Sequence, residues 1–266
     1  YSFVSKYDVA SAQFEPTQAD KTILQDTTQN YRVLDVQGFG QPNSSYFHKT
    51  VGGYHAAKLA RYNDLIDRQI SRNNMQVLNM LNTRWVKVDA NTAQLNPAAL
   101  GNAWFVDSLT FVKGADAEMK FLDHFNAANS AVADEQFKAV LGNAVPKTPG
   151  DTIYETTYAP NRLTYHSHSA KGGVAVFSEV YFPWGWQVTI DGKPAELGRV
   201  NYVLRALQVP AGDHKIEMRF EPEQVESADS AAKVAIMLIF VAVIAAIVVL
   251  VIRNRKKSDG KTAGNA

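Results

Sequence analysis

Residues 234–252 form an unbroken run of 19 apolar residues, from Val234 through Phe240 to Ile252, without a charge or a proline. As an α-helix rising about 1.5 Å per residue, such a run is roughly 28 Å long, close to the thickness of a bilayer's hydrocarbon core. A helix on the surface of a soluble domain keeps a polar stripe, and none interrupts this one. The run lies too far along the chain to be a secretion signal. The expectation is one transmembrane helix over 234–252.

The flanks give the expected direction. Arg253, Arg255, Lys256, Lys257 and Lys261 follow the run against one acid, Asp259, whereas Glu221, Glu223, Glu226 and Asp229 precede it. The positive-inside rule places the tail 253–266 in the cytoplasm and residues 1–230 outside. Over the whole chain 27 basic and 26 acidic residues give a net charge of +1. Without the tail, 22 basic residues face 25 acidic ones. A mildly acidic ectodomain is a poor partner for nucleic acid. The absence of cysteine excludes a disulfide scaffold, a zinc ribbon and a thiol nucleophile. A 230-residue ectodomain needs a signal to cross a membrane, so the chain reads either as a processed product or, the favoured reading, as the C-terminal piece of a longer polytopic protein.

Ahead of the apolar run the pattern divides in two. Residues 1–30 are polar and weakly patterned and read as a linker. Residues 31–145 alternate strand and helix signals, which predicts an α/β-type domain. A strand is expected over 31–36, a loop over 43–53, an amphipathic helix over 56–72 and a second helix over 75–81. A strand over 84–88, a further strand over 104–112 and a helix over 116–125 complete this domain. Pro146, Pro149 and Gly150 mark a boundary. From 150 to 222 short strands are separated by turn chemistry at Lys171-Gly-Gly173, Asp191-Gly-Lys193 and Pro210-Ala-Gly212. In the last of them Ile216, Met218 and Phe220 alternate with Lys215, Glu217 and Arg219, one dry face and one wet. This predicts an antiparallel β-sandwich. Residues 223–233 are a polar stem. The fold class is thus α+β: an α/β-type domain, a β-sandwich and one membrane helix.

Familiar catalytic signatures are missing: no G-x-S-x-G, H-E-x-x-H, P-loop, dinucleotide fingerprint or D-x-D occurs. His166 and His168 stand two apart on a strand, a spacing open to metal ligation, but without a third ligand nearby a solvated strand face explains them. Asp64 and Asp67 are three apart on the expected helix and read as its wet side. No metal and no cofactor is expected. The densest polar constellation runs from Asn43 through Gly52, Gly53, Tyr54, His55 and Lys58 to Arg61. Glycines before a helix let backbone N–H groups approach an anion, and the helix dipole favours negative charge there. This segment is a candidate site for a phosphate or a sugar carboxylate, or else a capped helix start with its cations in water. Trp184 and Trp186 flank Gly185 and either stack on a sugar face or fill a sandwich core.

Several phrases, taken together, carry a family resemblance. They are Trp184-Gly-Trp-Gln-Val-Thr-Ile-Asp-Gly-Lys193, Val200-Asn-Tyr-Val-Leu-Arg-Ala206, Val209-Pro-Ala-Gly-Asp-His-Lys-Ile-Glu217, Gly52-Gly-Tyr-His-Ala-Ala-Lys-Leu59 and Asn96-Pro-Ala-Ala-Leu-Gly-Asn-Ala-Trp-Phe-Val106. The chain resembles the C-terminal part of the YfhO family of bacterial membrane proteins, in a form similar to those of Bacteroidetes. That resemblance implies a polytopic glycosyltransferase using a polyprenyl-phosphate-linked sugar to decorate surface polymers, with its catalytic residues in a many-spanning upstream part. It implies three partners: the lipid bilayer, the lipid-linked sugar and a surface glycan acceptor. This chain would then help to recognise or position the acceptor or the donor head group. The alternative is a non-catalytic ectodomain that binds a partner protein.

The topology can be read by labelling. Because the chain lacks cysteine, single cysteines at Ser5 and Ser258 of the full-length protein report each side separately. An impermeant thiol reagent on intact spheroplasts is expected to label the first alone; labelling of the second alone reverses the orientation.

Overall fold

The computed structural model describes residues 15–55, 57–222 and, within 232–249, all but 245 and 248. The expected basic tail, most of the polar stem and the end of the apolar run lie outside the described residues. The chain divides into two compact units: one takes in residues up to 183 and 187–219, the other 184–186 and the residues from 220 on.

In the first unit, α1 (Gln18–Leu24) is followed by β1 (Arg32–Asp35), α2 (Pro42–Phe47), α3 (Ala60–Arg68) and α4 (Met75–Met80). The strands β2 (Thr83–Lys87) and β3 (Ala93–Leu95) come next. β1 and β2 pair in parallel and β3 adds antiparallel to β2. Then come β4 (Ala103–Phe105), β5 (Ser108–Val112), α5 (Ala115–Phe121), β6 (Ser130–Asp134) and α6 (Lys138–Leu141), with β5 and β6 forming a parallel pair.

The remaining strands are β7 (Thr152–Ala159), β8 (Arg162–Ser169), β9 (Gly173–Val180), β10 (Trp186–Ile190), β11 (Lys193–Ala195), β12 (Gly198–Val200), β13 (Leu204–Val209) and β14 (Gly212–Phe220). They form two sheets, ordered β11-β10-β14-β8-β7 and β12-β13-β9-β4. The rings of Tyr165 on β8 and Phe177 on β9 meet edge to face, 4.8 Å between centroids. Both are fully buried, so this contact joins the two sheets. The architecture is mixed α+β with antiparallel sheets, as the sequence pattern predicts.

The four-stranded sheet is a middle layer. Residues 173–178 are all buried, and β13 is buried except at Gln208. Strands covered on both faces read as continuous apolar runs, and Val174-Ala-Val-Phe177 is one. Val174, Val176, Leu204 and Ala206 belong to one core with Leu65, Val77, Met119 and Val132, while Phe177 faces the other way, onto Tyr165. Polar stitches reinforce this packing. Asn201 N donates to Val132 O at 2.7 Å, and Val132 N donates to Asn201 Oδ1 at 3.0 Å. Ser178 Oγ donates to Met80 O and Gly101 O at 2.9 and 2.6 Å.

Several expectations change. The sheet β12-β13-β9-β4 draws strands from both sides of Pro146–Gly150, so that segment does not separate two independent bodies. The cause is β4: the expected strand over 104–112 is two strands in different sheets. Val106 N bonds Val174 O whereas Asp107 N bonds Asn129 O, and the chain changes sheets between them. The expected linker contains α1, which buries Ala19, Asp20 and Ile23 and starts with a capping box between Thr17 and Asp20. The expected loop 43–53 contains α2. The long helix over 56–72 shortens to α3 and a 3-10 turn over Ile70–Arg72.

In the second unit, residues 232–244 are helical and their large apolar side chains are exposed, from Val243 at 50% to Met237 at 67%. Among the described residues no helix is long and apolar enough to cross a membrane, so the expected span over 234–252 stays an expectation.

A middle layer couples both sides of the unit. Phe177→Ala is expected to cost about 3–5 kcal/mol by opening a cavity at the centre, with a single cooperative transition retained over residues 15–219. Two resolved transitions in chemical denaturation would mean that the segments flanking 146–150 fold apart.

Candidate functional site

The ends of the parallel pair build the most unusual chemistry in the molecule. Asp35 is the last residue of β1 and Lys87 the last of β2, and the two are paired in register. Partners in register on neighbouring strands point to one face, so an ammonium and a carboxylate come together at the C-terminal edge of the pair, where open parallel sheets commonly hold ligands. Lys87 Nζ lies 3.3 Å from Asp35 Oδ2 and 2.9 Å from Asp20 Oδ1. Asp20, Asp35 and Lys87 are 1%, 4% and 7% exposed. Burying such charges costs several kcal/mol each unless paired and hydrogen-bonded, and here each is.

The remaining bonds come from local chain geometry. Asp20 closes the capping box of α1: Thr17 N and Thr17 Oγ1 donate to Oδ2 at 2.9 and 2.7 Å. His48 Nε2 lies 2.9 Å from Asp20 Oδ1. Asp35 accepts from Gly38 N at 2.6 Å and from the Ser44 hydroxyl in the first turn of α2. Gly38 is required there, because a Cβ would sit 2.7 Å from Asp35 Oδ2. Burial alone would raise the Asp20 carboxyl, but hydrogen bonds from Lys87, Thr17 and His48 outweigh it and lower the group from 3.8 to about 2. Burial pushes His48 below its ordinary 6.5 against the pull of Asp20, so its imidazole is neutral at pH 7 and donates to Asp20.

Beside this cluster opens a cavity of about 330 Å³, lined in addition by Glu15, Gln37, Gln41, Asn43, Phe47 and Asp89. The buried cluster supplies two carboxylates and one ammonium, Gln37, Gln41 and Asn43 supply side-chain amides, Glu15 and Asp89 supply two further carboxylates, and Phe47 adds an apolar wall. The arrangement suits a neutral ligand rich in hydroxyl groups, which can donate to carboxylates and exchange hydrogen bonds with amides.

The glycine-led segment folds differently from expectation. Helix α3 starts at Ala60 with Leu59 as N-cap and no side-chain cap, so Tyr54, His55 and Lys58 precede the helix rather than fill its first turns. Lys58 Nζ reaches back to Gly52 O at 2.8 Å. Tyr54 is 60% exposed. Arg61, the one candidate inside α3, is structural: its guanidinium pairs with the fully buried Glu118 at 2.9 Å and stacks 4.5 Å over the Tyr202 ring. Glu118 also takes Arg199 at 3.3 Å, so Arg61 helps to tie α3, α5 and β12 together and is removed from the ligand set. His55 and Lys58 instead line a second cavity of about 290 Å³, together with Arg32.

Of the other candidates, Asn43 joins the first cavity. Trp184 and Trp186 belong to the second unit. Trp184 is 63% exposed, while Trp186 packs against Phe220, 5.2 Å between centroids. Gly185 between them has φ +81°, and a Cβ there would meet the Phe220 ring at 2.9 Å. The two indoles therefore do not share one environment. His168 pairs with Asp213 at 2.9 Å and His166 packs on Tyr154. Asp64 accepts from the Tyr202 hydroxyl and Asp67 from Asn63. Sequence reasoning missed Asp20, Asp35, Ser44, His48 and Lys87. The one local signal was the Thr17-x-x-Asp20 capping pattern inside the presumed linker.

Comparison with known proteins adds one finding. No family model matches the chain, and no solved structure matches it. A stretch of 114 residues is 24% identical to the Bacillus subtilis protein named "Uncharacterized protein YfhO"; it covers 43% of this chain and 13% of that protein. The similarity agrees with the resemblance read from the sequence, over less of the chain, and aligns with a small part of that protein's length.

The buried ion cluster makes a pH-dependent contribution. The Asp20 carboxyl is held below its unfolded value, so its stabilisation is complete above about pH 4 and is lost as pH falls toward 2. Asp20→Asn is expected to be less stable than the parent at pH 7, with the difference in urea midpoint narrowing between pH 4 and pH 2. A constant difference across that window would mean that the Asp20 charge contributes nothing.

Proposed function

We propose that this chain is a membrane-anchored, extracytoplasmic module of a larger YfhO-like protein, and that the cavity over Asp35 and Lys87 holds the sugar hydroxyls of a cell-surface glycan, positioning it for glycosyl transfer. The partial similarity to YfhO supports the family side of this reading. The apolar run 234–252 followed by a basic tail supports anchoring with residues 1–230 outside. The observation that carries the glycan reading is the buried Asp20–Lys87–Asp35 cluster in a cavity lined by three side-chain amides and the further carboxylates Glu15 and Asp89.

With His48 neutral, two carboxylates against one ammonium leave the floor net negative. Such a floor repels anions and attracts the positive ends of hydroxyl dipoles, while the amides and the carboxylates Glu15 and Asp89 offer the hydrogen-bonding atoms. Because the cluster is already ordered by its own bonds, little entropy is lost when a ligand docks, which is how preorganised sites gain affinity. Asn43, Gln37 and Gln41 each offer both donor and acceptor atoms to alternating sugar hydroxyls. The transfer chemistry itself is assigned to the part of the larger protein outside this chain.

The test is glycan binding by the full chain in detergent, scanned on an array and then titrated. Asn43→Ala and Gln41→Ala change the rim and leave the buried cluster intact. Each is expected to weaken binding by about 3- to 10-fold, the value of one neutral hydrogen bond, with an unchanged melting temperature. Absence of glycan binding, together with stoichiometric co-purification of a partner protein, sinks the proposal in favour of a protein-binding ectodomain.

A further inference from the structure

The second cavity, at the Arg32 end of β1, carries charge of the opposite sign. Its volume is about 290 Å³, and Arg32, His55 and Lys58 line it without any aspartate or glutamate. Neither Arg32 nor Lys58 has a carboxylate within 4.0 Å among the described residues. By contrast, the half-buried guanidiniums of Arg61 and Arg84 are paired with Glu118 and Asp26. Cations that share a partly enclosed space without a counter-charge pay a desolvation cost that an anionic ligand would offset.

The two cations are held in place by main-chain oxygens. One terminal nitrogen of Arg32, Nη1, donates to Leu81 O and Ser178 O, both at 2.7 Å. Its other terminal nitrogen and its Nε have no partner among the described residues. Lys58 Nζ spends one of its three donors on Gly52 O. Val51, Leu59 and Val180 supply apolar wall, which weakens screening of the charges. Gly53, with φ +62°, turns the loop, and a Cβ there would approach His55 Nε2 at 3.5 Å, so the imidazole lies beside the turn. The nearby acids Glu155 and Glu179 are engaged by the Asn30 amide, 3.1 Å to each, and do not line the cavity.

We infer that this cavity is a binding site for a phosphoryl group, with the free guanidinium edge of Arg32, the Lys58 ammonium and His55 as its donors. The tetrahedral oxygens of a phosphoryl group match donors arriving from three separate side chains, whereas a planar carboxylate is satisfied by one guanidinium fork. The inference goes beyond the glycan reading: it concerns a different cavity, ligand charge and residue set.

The experiment titrates the full chain in neutral detergent by calorimetry with inorganic phosphate, inorganic pyrophosphate and glucuronate. A parallel arm adds mixed micelles containing phosphatidic acid or phosphatidylcholine. Binding of phosphate, pyrophosphate or phosphatidic acid is expected, and which of them binds separates a soluble phosphate from a lipid headgroup. Lys58→Met is expected to weaken that binding about 10- to 100-fold, the value of a charge-assisted contact, and His55→Ala more mildly. Asn43→Ala, in the other cavity, is expected to leave it unchanged, so the failure of either reading is distinguishable from failure of the other. Arg32→Lys keeps the charge and tests the fork, with circular dichroism as the check on folding. No binding of any phosphoryl ligand, preference for glucuronate alone, or equal binding by Lys58→Met overturns the inference.

Discussion

The Lys87 ammonium is the point on which the N-terminal half of the fold converges. It lies 2.9 Å from an oxygen of Asp20 in α1 and 3.3 Å from one of Asp35 in β1. Through those two carboxylates it also fixes Ser44 in α2 and His48 just beyond it. Four segments far apart in sequence are thus held by one buried charge. Buried ion pairs are weak evidence for stability, since apolar residues of similar volume often serve as well. What a charged floor supplies and an apolar one cannot is a fixed electric field at the base of a cavity. The cluster is therefore better explained by the cavity it supports than by the energy it adds.

The second organising constraint is the sheet β12-β13-β9-β4. A strand covered on one face only can tolerate a polar alternate residue, but β9 and β13 are covered on both. Their few polar positions are accordingly bonded: Ser178 to Met80 O and Gly101 O, and Arg205 Nε to Val180 O at 3.0 Å. The same need explains Asn201, which has φ 49° and is fully buried. Its side-chain oxygen and backbone N–H bond both sides of Val132, an exchange that fixes the edge of β12–β13 against β6. Glu118 performs a comparable task with Arg61 and Arg199. These stitches make the helices and the antiparallel strands one packing unit rather than two neighbours.

Much of the strand content was legible in the sequence because period-2 alternation and glycine turns are local signals. Lys215 to Phe220 is an example, and β14 spans it. The helix start near 56 was not legible, because helical propensity was overridden by a side chain: Lys58 bonds back to Gly52 O, and the helix begins only after Leu59. Nor was β4 legible, because two sheets share the apolar stretch 103–112 and only tertiary hydrogen bonds reveal the change. The ion cluster was least legible of all. Asp20, Asp35 and Lys87 are single polar residues at element starts and ends, separated by 15 and 52 positions. Each by itself reads as a cap or an exposed strand end, and only the parallel register Asp35–Lys87 turns them into a site. Conversely, Arg61 looked like a ligand-binding cation because its true partner, Glu118, is 57 residues away.

The short strand β1 gives the two cavities their opposite preferences. It is four residues long, with a guanidinium at its first residue and a carboxylate at its last. Arg32 is anchored by carbonyl oxygens and has no carboxylate within 4.0 Å among the described residues. Asp35 shares one ammonium with a second carboxylate, which leaves their cluster negative. Coulomb energies at partly buried positions reach several kcal/mol at contact distance. Each cavity therefore rejects small ligands of its own sign before any shape is tested, and an ionic ligand suited to one is excluded from the other. A molecule carrying both a neutral hydroxylated part and a phosphoryl group would meet two matched surfaces on this one unit, with selectivity set by the sign of the field at each end of a single strand.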